Sequence, residues 1–281
     1  MKTKVFASLI ILVAFTLAGG SIRAPSTPAA MPINPPATST PTVLPTTPAA
    51  TSTPTVQPTY PTGPTSLQYI GHSCTFITTP DGTRIISDPY GDHPSGLASF
   101  PENLTADAVT VSHSHPDHNN VRAIEGDPKI IRDPGFYQVG MVKITGYKSD
   151  HGSGSGNNTV YVFEIDGVKI VHLGAAGVVT QSDILGAMEN ADVIIVDIMG
   201  DAQHPLTDEL NQLLERNVRT IIPTHYSFNG EPRYYGSATL DEFLQIVPSD
   251  LAIVKQGSTL QITANMPKQL VILAPAANEK K

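Results

Sequence analysis

One cysteine and no tryptophan occur in 281 residues, aromatic residues make up 6% of the chain, and only 15% of it is charged. The lone cysteine, Cys74, excludes an intramolecular disulfide and so any fold that needs disulfide staples, whatever the redox compartment. In GHSCTFI (71–77) it reads as a small core residue. The apolar run VFASLIILVAFTLA (5–18) has 14 residues, short of the ~20 that a membrane-spanning helix requires. Acidic residues are missing altogether from residues 1–66, where Lys2, Lys4 and Arg23 are the only charges. The remainder therefore carries 14 basic against 25 acidic side chains, a formal net of −11. Such a surface argues against nucleic acid or an anionic membrane as the natural partner.

What is present falls into three parts. Lys2 and Lys4, the short apolar run, and small residues up to Ala24 have the layout of a secretory signal over 1–24. The mature chain is then expected outside the cell or in its envelope. Retention of this segment as an uncleaved anchor is the other reading, and it would be the chain's membrane contact. LAGG (17–20) has no cysteine of the lipoprotein type, which argues against lipidation. Residues 25–66 hold 12 of the 25 prolines, are rich in Thr and Ser, and repeat ATSTPTV at 37–43 and 50–56. That composition cannot bury enough apolar surface to offset its ordering entropy, so it predicts an extended, disordered tether. The folded domain is then 67–281, and all nine histidines lie within it.

Within the domain, Asp-Gly turns flanked by apolar alternation predict hairpins over 73–88 and 159–173. Strands are expected at 106–113, 142–152, 192–198 and 218–225. Helices are expected at 182–191 and 207–217, each capped by its leading Ser or Thr, and at 239–247 with a Thr239–Glu242 capping box. A β pair over 251–262 is expected to close the domain. Strands first, then alternating helix and strand, predict a layered α/β sandwich.

The chemistry is concentrated in VTVSHSHPDHNN (109–120), which puts three histidines and an aspartate into six positions. Imidazole and carboxylate are the donors that a borderline divalent metal prefers. Pro116 argues against a helix here, so His113, His115, Asp117 and His118 belong to a tight loop leaving a strand. His151 in KSDHGSG and His225 in IIPTHYS sit at the ends of other expected strands and complete the candidate ligand set. GSGSG (152–156) has no following helix or lysine and reads as a flexible loop rather than a phosphate cradle.

SHSHPDH (112–118) resembles the His-x-His-x-Asp-His signature of metallo-β-lactamase fold hydrolases. GHSCTFI with DGTRIISDP, and IIPTHY, are similar to the opening hairpin and last ligand strand of the branch containing ascorbate-6-phosphate lactonase-like and N-acylphosphatidylethanolamine phospholipase-like enzymes. The resemblance covers about 67–262 and implies a four-layer αβ/βα sandwich. It also implies that His113, His115 and His151 hold one metal and that Asp117, His118 and His225 hold a second. The implied activity is hydrolysis of an ester, lactone or phosphodiester of a small-molecule or lipid-like substrate through metal-bound hydroxide, with Asp117 as ligand and proton acceptor. Zinc is the expected ion, one or two per chain, with manganese or iron as alternatives.

One departure stands out. Where the family carries a bridging aspartate in a His-x-Gly-Asp pattern, this chain reads His172-Leu173-Gly174-Ala175. Two unit charges 4 Å apart interact by about 4 kcal/mol at an effective dielectric of ~20, and two dications repel by roughly four times that. Without the bridge the expectation is a mononuclear or unevenly loaded centre, or else a non-catalytic metal- or ligand-binding module. Asp150, Asp197 and Asp201 are candidates to replace the lost carboxylate. His72, Asp88 and His172 are expected to orient ligating imidazoles. His93 and His204 read as surface or structural groups. Arg233 and Tyr234 are expected at the substrate mouth.

Overall fold

The computed structural model describes residues 63–276 except 92–96, 98, 153, 155, 199–204, 228–230, 232 and 234–236. The expected signal segment, residues 25–62 of the expected tether, His93, Asp201, His204 and Tyr234 lie outside the described residues.

The chain opens with strands β1 (Thr65–Gly71), β2 (Cys74–Thr78), β3 (Arg84–Ser87), β4 (Leu104–Thr105), β5 (Ala108–Thr110), β6 (Ile124–Glu125) and β7 (Lys129–Ile131). A meander follows: β8 (Gly135–Val139), β9 (Val142–Asp150), β10 (Asn157–Ile165) and β11 (Val168–His172). Helix and strand then alternate through α1 (Ser182–Met188), β12 (Val193–Asp197), α2 (Leu206–Glu215), β13 (Thr220–Thr224) and α3 (Leu240–Ile246). Strands β14 (Ala252–Gln256), β15 (Thr259–Ile262) and β16 (Gln269–Leu273) end the described fold.

These strands make a six-stranded sheet, β15-β1-β2-β3-β5-β7, and an eight-stranded sheet, β14-β16-β13-β12-β11-β10-β9-β8; β4 and β6 form a small third pair. Side chains of a strand alternate between faces, and the six-stranded sheet uses both. Ile77, Ile85 and Ala108 pack into the core shared with the eight-stranded sheet, whereas Cys74, Ile86 and Val109 join a second cluster with Ile70, Tyr90 and Val111. Every residue of β12 and β13 is buried, as parallel strands are when both faces are covered. Ile184 and Met188 of α1, Leu210 and Leu213 of α2 and Phe243 of α3 belong to the same core. The result is an α/β sandwich.

Both Asp-Gly hairpins form. At the second, Asp166 and Gly167 take φ of +47° and +81°, the left-handed pair that a two-residue turn of matching twist requires. The capping box of α3 is also present, with Glu242 N donating to Thr239 Oγ1 at 3.2 Å and Thr239 N donating to Glu242 Oε2 at 2.9 Å.

Two local expectations fail. Residues 251–262 do not pair with each other: β15 joins β1 antiparallel, Thr65 opposite Ile262, while β14 runs parallel to β16 in the other sheet. The strand β16, which sequence reading missed, competes for β14 and wins because its QLVIL segment supplies four buried residues. Ser182 and Thr207 are not caps either. The flanking positions are Gln181 and Pro205, neither making a side-chain capping bond, and Ser182 and Thr207 lie inside the helices.

Strand β1 begins at Thr65, two residues before the expected domain start at 67. A chain shortened to begin at Gly63 should keep its melting temperature within about 2 °C of the full chain, a change under about 1 kcal/mol, since the Pro/Thr-rich segment offers little to pack. Thermal denaturation followed by circular dichroism checks this, and a loss of many degrees would show that the segment docks on the domain.

Candidate metal centre

The candidate ligands come from loops that leave strand ends. His113, His115, Asp117 and His118 follow β5, His151 follows β9, His225 follows β13 and His72 follows β1. Two of these positions hold a left-handed backbone: His72 at φ +55° and His225 at φ +58°. Among the described residues, the other non-glycine positions with positive φ are all Asn or Asp, which tolerate that region best. Strained backbone of this kind persists where surrounding structure holds it in place, commonly at functional sites. Here His225 N donates to His72 O at 2.9 Å, as does the Tyr69 hydroxyl, also at 2.9 Å.

The side chains form two sets. His113, His115 and His151 bring one ligating atom each within 4.8 Å of one another, and His115 is the partly exposed member. His72, Asp117, His118 and His225 form a second set under the same limit, all buried. Asp117 Oδ2 lies 3.0 Å from His72 Nε2, 3.4 Å from His225 Nε2 and 3.6 Å from His118 Nε2. The sets adjoin, with the His113 and His118 rings 4.0 Å apart between centroids. The six residues expected from sequence fall into these two clusters, and His72, expected only to orient a ligand, stands among the second set itself.

Asp88, at the end of β3, sets the imidazole tautomers. Its Oδ1 accepts from Ser112 N at 2.7 Å, and its Oδ2 accepts from the Ser112 hydroxyl at 2.5 Å and from His118 Nδ1 at 3.0 Å. A carboxylate only accepts, so both protons come from its partners. Ser112 has one hydroxyl proton, and with that proton on Asp88 its oxygen accepts from His113 Nδ1, 3.0 Å away. His118 and His113 thus each carry a proton on Nδ1, and in the neutral ring each turns an Nε2 lone pair toward the site. Burial alone would raise the Asp88 carboxyl, but the His118 hydrogen bond and the His118, His172 and His113 imidazoles hold it well below the usual range.

His172 does not contact a candidate ligand's ring. Its Nε2 lies 3.2 Å from Ser73 O, and its Nδ1 accepts from Gly174 N at 3.1 Å. Gly174, at φ +54°, has no room for a side chain, because an added Cβ would lie 2.5 Å from Ser112 Cβ and 2.6 Å from Asn158 Oδ1. Asp150 is exposed at the end of β9. Arg233 donates to Ser237 O at 3.3 Å and pairs with Glu242. The same Ser237 brings its hydroxyl 3.4 Å from His225 Nδ1, so Arg233 is tied to the turn behind a candidate ligand. Sequence reading missed Ser112 and Ser73 because a serine beside a histidine carries no signal of its own.

The donor chemistry fits a divalent ion. Burial, then the neighbouring His118 imidazole, push His113 down to about 2. Burial, then His115 and His118, push His151 down to about 4. Both rings are therefore neutral at ordinary pH, the form that a metal needs. His113 Nε2 is buried with no hydrogen-bond partner, a costly state that ligation would relieve. Asp117 is held far below the carboxylate range: burial opposes this, but hydrogen bonds to His225 and His72 outweigh it. Beside His113 and His115 lies a cavity of about 360 Å³, lined also by Ser114, Arg132, Lys148 and Asn157.

Comparison with known proteins agrees with this geometry. The model of the beta-lactamase superfamily domain matches residues 66–225, a span that opens on β1 and closes on the last candidate ligand. A UPF0173 metal-dependent hydrolase of Thermococcus onnurineus is 26% identical over 228 residues, covering 70% of this chain and 99% of its own length. One from Rubrobacter xylanophilus is 24% identical over 200 residues, covering 58% and 82%. A solved structure from Thermotoga maritima, described as a candidate Zn-dependent hydrolase of the metallo-beta-lactamase superfamily, superposes with a TM-score of 0.60 at 28% identity. That superposition covers 74% of this chain and 98% of that one. Two facing sheets, imidazoles gathered at their strand ends, and a family match over more than half its length make this chain a member of the beta-lactamase superfamily.

Proposed function

We propose that this metal-dependent hydrolase uses zinc to cleave an ester, lactone or phosphodiester in a small-molecule or lipid-like substrate. The observation that carries the reading is the pair of adjoining ligand sets, one buried and one opening through His115 to the cavity. Zinc, when bound, polarises the scissile group and lowers the pKa of an attacking water. The chain's own residues supply the rest. His113, His115 and His151 are three neutral donors of the number that catalytic zinc sites use. Asp117 stays ionised among His72, His118 and His225, which suits it to hold a cation there, and the resemblance assigns it the nucleophile's proton as well. Arg132 and Lys148, lining the cavity, favour a substrate with an anionic group. The resemblance to the lactonase-like and phospholipase-like branch points to the same bonds, and the Lys2–Ala24 segment supports export.

The test is turnover of a panel of aryl esters, lactones and bis(p-nitrophenyl) phosphate by the metal-stripped chain, before and after zinc, manganese or iron(II) is restored. Recovery of activity on one bond class with zinc is expected. Tight zinc retention with no turnover of any class would instead favour a non-catalytic metal-binding module, the reading that Ala175 motivates.

A further inference from the structure

Where the resemblance implies an aspartate after β11, this chain has Ala175, yet the strand beside β11 ends on a carboxylate. Strand β12 lies between β11 and β13, with His172 opposite Ile195 and Asp197 opposite Thr224. Two residues beyond the His172–Ile195 pair, the parallel register carries β11 into Gly174 and β12 into Asp197. The end of β12 is thus flanked by the turn that lacks the carboxylate and by the strand that delivers His225.

Asp197 is buried, with 6% of its surface exposed. Its Oδ1 accepts two hydroxyl protons, from Ser73 at 2.8 Å and from Thr224 at 2.7 Å. Ser73 follows His72 and Thr224 precedes His225, so the carboxylate is anchored by the neighbours of two members of the second set. Its Oδ2 is also buried and has no hydrogen-bond partner. A buried carboxylate oxygen left so is destabilising unless a cation meets it. Among the described residues no lysine or arginine pairs with it. Asp150, the other described candidate, is exposed.

We infer that Asp197, through Oδ2, is the carboxylate shared by the two metal half-sites, standing in from β12 for the one missing at Ala175. The inference rests on the reading that both sets hold metal, and it replaces the expectation of a mononuclear centre with one of two ions. One negative group between the sites offsets repulsion between the dications, whichever strand delivers it.

The experiment is zinc titration of the full chain against a chromophoric chelator, with metal content after dialysis measured by elemental analysis and the melting temperature of each metal-free variant. Wild type should retain about two zinc ions, and Asp197→Asn about one, with the weaker equivalent bound at least ~10-fold less tightly. Asparagine keeps an oxygen for Ser73 and Thr224, so the metal-free melting temperature should hold. The double variant Asp197→Asn/Ala175→Asp should recover the second ion. Unchanged zinc binding in Asp197→Asn overturns this inference alone. So does a loss of zinc that tracks a matching loss of metal-free stability and is not recovered in the double variant. A wild type that binds no zinc overturns both this and the metal reading beneath it.

Discussion

Asp88→Asn is expected to lower zinc affinity by about 10–100-fold while leaving the metal-free fold in place. Asparagine tolerates the left-handed backbone at this position, φ +48°, as well as aspartate does. Its carbonyl oxygen can still accept from Ser112 N, but its amide then points N–H groups at Ser112 Oγ and His118 Nδ1. His118 must turn its lone pair to Nδ1 and carry its proton on Nε2. The Ser112 hydroxyl, no longer held by a carboxylate, is free to donate to His113 Nδ1, which moves that ring's proton to Nε2 as well. Both rings then present N–H where a lone pair is needed. Asp88→Ala should differ in kind, since it strands two buried donors and a buried imidazole at a cost of about 3–5 kcal/mol. Chelator competition and urea denaturation separate the two outcomes. Wild-type affinity in Asp88→Asn would show that the tautomers are set elsewhere.

Asp117→Ala should have the largest effect on turnover, a fall of about 10²–10⁴, with loss of zinc from the buried set. Asp117 Oδ2 stands within 3.6 Å of three imidazole nitrogens, so its removal takes away a candidate ligand, the negative charge that the rings surround, and the proposed proton acceptor. The three rings remain close enough to bind weakly. Asp117→Asn separates the roles: it keeps the volume and one oxygen, so it should hold more metal than Asp117→Ala while recovering little activity. Steady-state kinetics at saturating zinc, alongside metal content, distinguish the roles. An alanine variant that keeps wild-type turnover at full zinc load would remove Asp117 from the reaction.

The candidate site was legible in sequence to the extent that its ligands are local. His113, His115, Asp117 and His118 share one loop, and Pro116 keeps it from becoming a helix. His151 and His225 were legible because each ends an apolar run whose period marks a strand. The cap positions of α1 and α2 were misread because Ser and Thr are frequent both at caps and within first turns, and only backbone angles separate the two.

Local pattern by itself therefore determined the strands of both Asp-Gly hairpins, β5, β9, β12 and β13, the alternating second half and the six ligand candidates, since each depends on side chains a few residues apart. Tertiary structure alone decided that β14 and β15 part into different sheets, that His72 joins Asp117 across 45 positions of sequence, and that Asp88 governs His118 directly and His113 through Ser112. It also placed Asp197 beside Ser73, 124 positions away, on the strand between the empty family position and His225. No period or motif carries such a contact, because sheet order is set by which apolar faces bury one another, and the buried polar groups must then find their partners wherever that order leaves them.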